Sequence, residues 1–282
     1  MKFSREDADI FVPDGTAMPE ALERTTHLCI GAHQDDQEFM ALHGILECYA
    51  RRDRWFTGVC LTDGRGSPRS GPYSAFTDED MMQVRRAEQR KAAAVGDYAC
   101  QVQLVHPSAY IKDASHGDVV EDLARILSVA QPETVYLHNP ADKHDTHVAA
   151  VLRSIAALRT LPADRRPRTV YGCEIWRSLD WLLDDEKQVL DVDRHRNLAA
   201  ALSGVHDSQI TGGKRYDAAN MGRQAANATF FESHGTDESR ALSWAVDLTA
   251  LVQDENLPVA EYTLGFIERL RKDVEERIAK FM

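Results

Sequence analysis

The sequence predicts an α/β fold of the Rossmann-like kind, a mostly parallel sheet flanked by helices. Three observations carry this. Over the first 140 residues, short β-prone apolar runs alternate with longer stretches of helical period, the pattern of a βαβ series. Each helical stretch is long enough to form a right-handed crossover between parallel strands. A chain of 282 residues with 43% hydrophobic content can also bury one large core. One domain over residues 1–282 is therefore expected, with 203–282 as a C-terminal loop and helix elaboration.

In order, strands are expected at 27–33, 55–62, 101–106, 133–138 and 169–175, with helices at about 38–52, 79–96, 117–130 and 145–159. The first strand is not followed by GxGxxG, so a dinucleotide cofactor has no support. Residues 161–168 (LPADRRPR) read as a polar connection. The stretch 203–240, rich in Gly, Ser, Asn and Asp, reads as loop material for an active site or an oligomer contact. From Pro258 onward the pattern is a long amphipathic helix packed across the domain, with Arg269, Arg271, Lys272, Glu275 and Glu276 outward.

Composition narrows the function. A formal charge of −12 with no Lys/Arg block argues against nucleic acid, which needs a concentrated basic footprint. No apolar run approaches the roughly 20 residues of a membrane span, and MKFSREDADIF has no apolar signal core, so a cytoplasmic location is expected. The five cysteines, Cys29, Cys48, Cys60, Cys100 and Cys173, are widely spaced in apolar stretches and contain no CxxC. They read as reduced core residues and exclude a thiolate zinc site.

The chemistry-bearing residues gather at two strand ends. HLCIGAH runs into QDDQEF, which puts His33, Asp35 and Asp36 at the carboxyl edge of the first parallel strand, where open α/β sheets build their sites. KHDTH follows VYLHN and offers His144 and His147, with His138 as a neighbour that either supports the site or ligates. A catalytic zinc takes three protein ligands plus a water, and His33, Asp36 and His147 supply that set. Asp35 then stays free as a base. Taken alone, an Asp-Asp pair after a strand is an ordinary helix N-cap and an HxxH an ordinary surface pair. Their joint placement favours a metal site.

These residues resemble the LmbE/PIG-L-type N-deacetylases, whose motifs AHPDDE and HPDH correspond here to AHQDDQ (32–37) and HDTH (144–147). The likeness extends through LTDG (61–64) and RRAEQRKAA (85–93), over roughly residues 27–210. It implies an LmbE-like fold, one Zn²⁺ per chain or another divalent metal, and removal of an acyl group from an N-acetylglucosamine-like molecule. It also implies His33, Asp36 and His147 as ligands, Asp35 as general base and His144, protonated, as the oxyanion-stabilising group. Gln34 replaces the family's proline and Gln37 its glutamate, so Gln37 can hydrogen-bond a ligand without adding charge.

Substrate contacts implied by the resemblance are Arg85, through a guanidinium fork to sugar hydroxyls, Asp113 in SAYIKD, and His206 as a wall residue. An ion pair of Arg85 with Glu88 is the plainer reading of that arginine. The loop 67–76 is suited to cover the cleft, and Lys214 and Arg215 in TGGKRYD to meet an anionic group. The expected partner is a small N-acylated amino sugar or related amide, and a homo-oligomer is compatible with the sequence. Competing readings are a metal-dependent hydrolase of another amide or ester, and a non-catalytic carbohydrate-binding module.

Overall fold

Fully buried runs such as HLCIG and FTGVCLT have apolar residues facing both ways, which suits strands covered on both faces by helices. The computed structural model, which describes residues 1–282, places them so. The strands are β1 (Asp9–Phe11), β2 (His27–Gly31), β3 (Phe56–Thr62), β4 (Cys100–His106), β5 (Thr134–His138), β6 (Thr169–Cys173), β7 (Lys187–Asp191) and β8 (Leu242–Asp247). The helices are α1 (Glu20–Glu23), α2 (Asp36–Met40), α3 (Leu42–Cys48), α4 (Asp78–Val95), α5 (Ser108–Lys112), α6 (Asp118–Ala130), α7 (Asp145–Arg159), α8 (Arg196–Gly204), α9 (Asp207–Ile210), α10 (Tyr216–Phe230), α11 (Thr249–Gln253) and α12 (Val259–Phe281). No helix is long and apolar enough to cross a membrane.

All eight strands form one sheet in the order β1-β4-β3-β2-β5-β6-β8-β7. The pairs from β4 through β6 are parallel, whereas β1 and β8 run antiparallel to their neighbours. Side chains alternate across the sheet: Leu28 and Ile30 join one apolar layer, and Cys29 between them joins the other. From β2 the chain steps outward to β3 and β4, then crosses back to add β5 and β6 on the far side. The order therefore reverses between β2 and β5, and the crevice at their carboxyl ends is where such sheets bind ligands.

The five expected strands and the helices at 79–96, 117–130 and 145–159 appear within two residues. The expected helix 38–52 is instead two pieces, α2 and α3, broken at Ala41, whose φ of −110° and ψ of 20° leave the helical region. The C-terminal part differs more. Residues 203–240 hold the 15-residue helix α10, because Ala218, Ala219, Ala225, Ala226 and Ala228 outweigh the Asn and Gly that suggested a loop. Residues 203–282 are not merely loop and helix either, since β8 (LSWAVD) lies inside the sheet between β6 and β7. Helix α12 buries only Thr263 and Phe266, and its last turns leave Val274, Ile278 and Phe281 exposed instead of packing across the domain. All five cysteines are buried and unpaired, as expected.

Helix α3 meets the sheet through Gly44, where a Cβ would lie 2.5 Å from the buried Tyr136 ring of β5. A rigid aromatic edge cannot swing aside, so Gly44→Ala is expected to lower stability by about 1–3 kcal/mol through overpacking. Denaturant unfolding checks this, and an unchanged midpoint would contradict the close approach.

Candidate active site

The turn after β2 aims four consecutive side chains in different directions. Asp35 has φ of +93°, a strained value that Asp and Asn tolerate better than other non-glycine residues. It stands at the N-cap position of α2 but makes no capping hydrogen bond, so the helix-cap reading of this carboxylate fails. Asp36 turns inward, and its Oδ2 accepts the His33 backbone N–H at 2.7 Å. Gln34 donates to the Thr62 carbonyl at 2.9 Å, tying the turn to β3 without the proline. Gly64 of LTDG permits this approach: its φ is +79°, and a Cβ there would lie 2.8 Å from Gln34 and 2.9 Å from Arg85.

Helix α7 carries His147 from beside β5 to the same point. His147 Nε2 lies 3.2 Å from His33 Nδ1 and 3.4 Å from Asp36 Oδ1, and His33 Nδ1 is 3.3 Å from Asp36 Oδ2. Two donors each 2.0–2.1 Å from a tetrahedral zinc are about 3.3 Å apart, so these three groups have the spacing of a cation's ligands. Two overlapping sets of potential donors share His147, one with His33 and His144, the other with Asp36 and His138. His138 can be separated from the ligands. Its Nε2 accepts the Ala32 backbone N–H at 2.9 Å, which occupies the lone pair facing Asp36. Its ring stacks on His147 at 3.9 Å between centroids and so supports the site.

Asp142 is a site residue that the motif comparison missed. Its Oδ2 lies 3.1 Å from His147 Nδ1, fixing the imidazole so that Nε2 faces His33 and Asp36. HDTH lacks the inner aspartate of HPDH, and the loop residue two positions before His144 takes a place beside the second histidine. Burial opposes charge on His147, but Asp36 and Asp142 outweigh it and hold its pKa up at about 9. Asp36, despite burial, is held well below the carboxylate range by His147 and His138. His144 behaves oppositely: burial, His147 and His33 push it down to about 4. It therefore faces the cleft as a neutral imidazole, not as the protonated group expected from the sequence.

Asp35 is raised by burial, against the pull of the Arg85 guanidinium 3.3 Å away. Arg85 itself is 1% exposed, bonds the Gln34 carbonyl and approaches Glu88 at 3.8 Å. It holds the turn from inside and is no open fork for sugar hydroxyls. His206 is also fully buried, with Nε2 3.0 Å from Glu38 Oε2, and offers no face to a substrate. Glu38, unremarked in the sequence, gathers donors from His206, Tyr98 and Gln89 behind the turn. Gln37 is buried beside Gly58 with neither amide atom bonded, so it does not steady a ligand as anticipated. Asp113 lies after β4, where its carboxylate is engaged by Ser115 and faces solvent, apart from the cluster.

Loop 67–76 meets the second expected wall. Tyr73 Oη donates to Asp207 at 2.6 Å, and Cβ atoms at Gly71 and Gly213 would touch the Thr211 carbonyl and Ser70. Tyr216 and Trp176, neither anticipated, complete the surroundings. The Trp176 ring lies 5.9 Å from both His144 and Tyr216. Tyr216 is pushed up by burial and by the nearby Asp35 and Asp36.

An α/β sheet with a histidine-carboxylate cluster at its switch point defines a broad class of candidate metal-dependent enzymes. Residues 28–158 match the sequence model of the PIG-L family, described as GlcNAc-PI de-N-acetylase. Among solved structures it is similar to a 4-carboxy-2-hydroxymuconate hydratase from Pseudomonas putida KT2440, at 18% identity and TM-score 0.61, covering 79% of this chain and 96% of the other. It is also similar to the N,N'-diacetylchitobiose deacetylase of Pyrococcus horikoshii, at 16% identity and TM-score 0.57, covering 78% and 83%. A third is the zinc-inhibited form of a teicoplanin deacetylase, at 14% and 0.54, covering 79% and 98%. At such identities the likeness establishes the LmbE-like fold, which serves both a hydratase and deacetylases. No curated protein gave a significant match.

Two measurements follow from this geometry. In metal-free protein, NMR titration is expected to find His147 protonating near 9 and His144 near 4. His147 is raised above its ordinary 6.5, so its contribution to stability is full below about pH 6.5 and is lost as pH rises through about 9. Two histidines titrating together near 6.5 would contradict the arrangement. Separately, Asp142→Asn is expected to weaken divalent-metal affinity by about 10–100-fold, read by competition with a chelating indicator. Unchanged affinity would remove Asp142 from the site.

Proposed function

We propose that the protein is a zinc-dependent N-deacetylase, a hydrolase of linear amide C–N bonds, that removes an acetyl group from an N-acetylglucosamine-like small molecule. The observation that carries this is the mutual 3.2–3.4 Å spacing of His33, Asp36 and His147 beside a buried carboxylate, Asp35, that lies outside that set of donors. A divalent cation held by those three would acidify water and polarise an acyl carbonyl. The match of residues 28–158 to a de-N-acetylase family model supports amide hydrolysis as the reaction, and two proteins of similar fold are named as deacetylases of N,N'-diacetylchitobiose and of teicoplanin.

The chain's own groups then divide the work. Asp35, its affinity for a proton raised by burial, takes the proton from the attacking water and returns it to the departing amine. Arg85 keeps that carboxylate aimed into the cleft. His144, neutral and ring-stacked on His147 at 4.5 Å, presents an N–H toward the oxygen that becomes negative. Asp142 and His138 hold His147 in place. The buried, unpaired cysteines agree with a reducing cytoplasm as the working compartment.

The test is a panel of N-acetylated amino sugars, N-acetyl peptides and chromogenic phosphates given to the metal-loaded protein. Acetate and free amine are expected from the sugars. Zinc binding with no amine released from any substrate would leave a binding module, and turnover confined to phosphates would assign another hydrolase.

Asp35→Asn separates an enzyme from a metal-holding scaffold. Asparagine keeps the shape and tolerates the +93° φ, so fold and metal content should persist while kcat falls about 10²–10⁴-fold. Near-full turnover in a folded, loaded variant would overturn the mechanism.

A further inference from the structure

The cleft beside His144 holds a cluster that the hydrolytic machinery does not use. Trp176 lies just past the carboxyl end of β6, half-buried, with its ring 5.9 Å from that of His144. Two ammonium groups converge on this indole: Lys143 Nζ lies 5.8 Å from the ring centroid, and Lys214 Nζ 5.4 Å. They arrive from separate loops, each anchored by its backbone. The Lys143 N–H donates to Asp142 at 2.6 Å and the Lys214 N–H to the Gln209 carbonyl at 2.9 Å.

Charge makes the pairing informative. The chain carries 45 acidic against 33 basic side chains. Arg215, next to Lys214, is paired with Asp217 at 3.1 Å, so of the two basic residues expected to meet an anion only Lys214 stays free. Lys143 and Lys214 form neither an ion pair nor a side-chain hydrogen bond. Two ammonium groups within 6 Å of one aromatic ring, neither engaged by a carboxylate of the chain, are placed to meet an anion at the edge of the cleft.

We propose that Lys143, Lys214 and Trp176 form a subsite for an anionic group, phosphate or carboxylate, carried by the substrate next to its acylamino group. This rests on the deacetylase reading for the position of the amide. With the amide at His144, a sugar laid against Trp176 would bring its charged substituent to the two ammonium groups. Tyr216, edge-on to Trp176 at 5.9 Å, closes the far side.

The test uses the metal-loaded protein with N-acetylglucosamine, its phosphate esters and its carboxyl-bearing lactyl ether. Binding is read by calorimetry and turnover by acetate release. Wild type is expected to favour a charged sugar, with the phosphate and carboxylate arms telling which anion the subsite takes. The preference should shrink with added salt. Exposed charge contacts are individually modest, so Lys143→Gln with Lys214→Gln together should raise Kd and KM for the charged sugar by about 10-fold and leave the neutral sugar within about twofold. Arg215→Gln, which removes a neighbouring but paired charge, should change neither. Equal binding of neutral and charged sugars by wild type, or a preference that survives the double substitution, overturns the proposal. A lysine-dependent binding preference without acetate release would uphold the subsite and refute the deacetylase reading instead.

Discussion

The Asp36 carboxylate is the constraint on which the rest of the site depends. It is 3% exposed, accepts the His33 backbone N–H, and has the imidazoles of His33, His138 and His147 within 3.4 Å. A buried carboxylate is costly unless positive charge or donors surround it. Three imidazoles crowded around one anion cannot all be protonated, and two facing nitrogen lone pairs 3.2 Å apart need a proton or a cation between them. Protonated His147 meets that need in the metal-free protein, and a divalent ion would meet it better because it could engage both nitrogens and the carboxylate at once. The sheet order makes the convergence possible: β2 and β5 are neighbours only because the chain reverses direction of growth between them.

Around this centre lies a buried polar layer that holds the turn. Arg85 bonds the Gln34 carbonyl and flanks Asp35, Glu88 accepts from Ser208 at 2.7 and 2.6 Å, and Glu38 gathers His206, Tyr98 and Gln89. These contacts join α4, α9 and the turn after β2 into one unit. They explain how a residue at φ of +93° is held with its carboxylate beside Arg85, and why Arg85 and His206 are found buried behind the turn. Glu38 also places a buried carboxylate one position beyond the glutamate of the AHPDDE motif, where it is taken up by His206, Tyr98 and Gln89.

What was legible in the sequence was what strand ends encode. His33, Asp35, Asp36 and His147 follow apolar runs whose pattern is strong, so their common edge could be deduced before any contact was known. Asp142 carried a readable signal, a carboxylate five residues before His147 in a loop that must return to the sheet, but it lies outside the HDTH motif. Trp176 and Tyr216 were hidden because an aromatic residue in a loop or at a helix start looks like any other. Strand β8 was hidden because an antiparallel strand inserted late in the chain leaves no βαβ pattern, and α10 because Asn and Gly diluted its alanines. The charge on His144 was unreadable for another reason: it depends on which other imidazoles stand beside it.

On this reading one divalent ion is held by His33, Asp36 and His147, with His138 outside its coordination shell. X-ray absorption at the zinc edge of the zinc-loaded protein tests this. Two imidazole nitrogens and carboxylate oxygen are expected at about 2.0–2.2 Å, with the remaining position filled by solvent. A shell of three or more imidazoles, unchanged by His33→Ala, would contradict it.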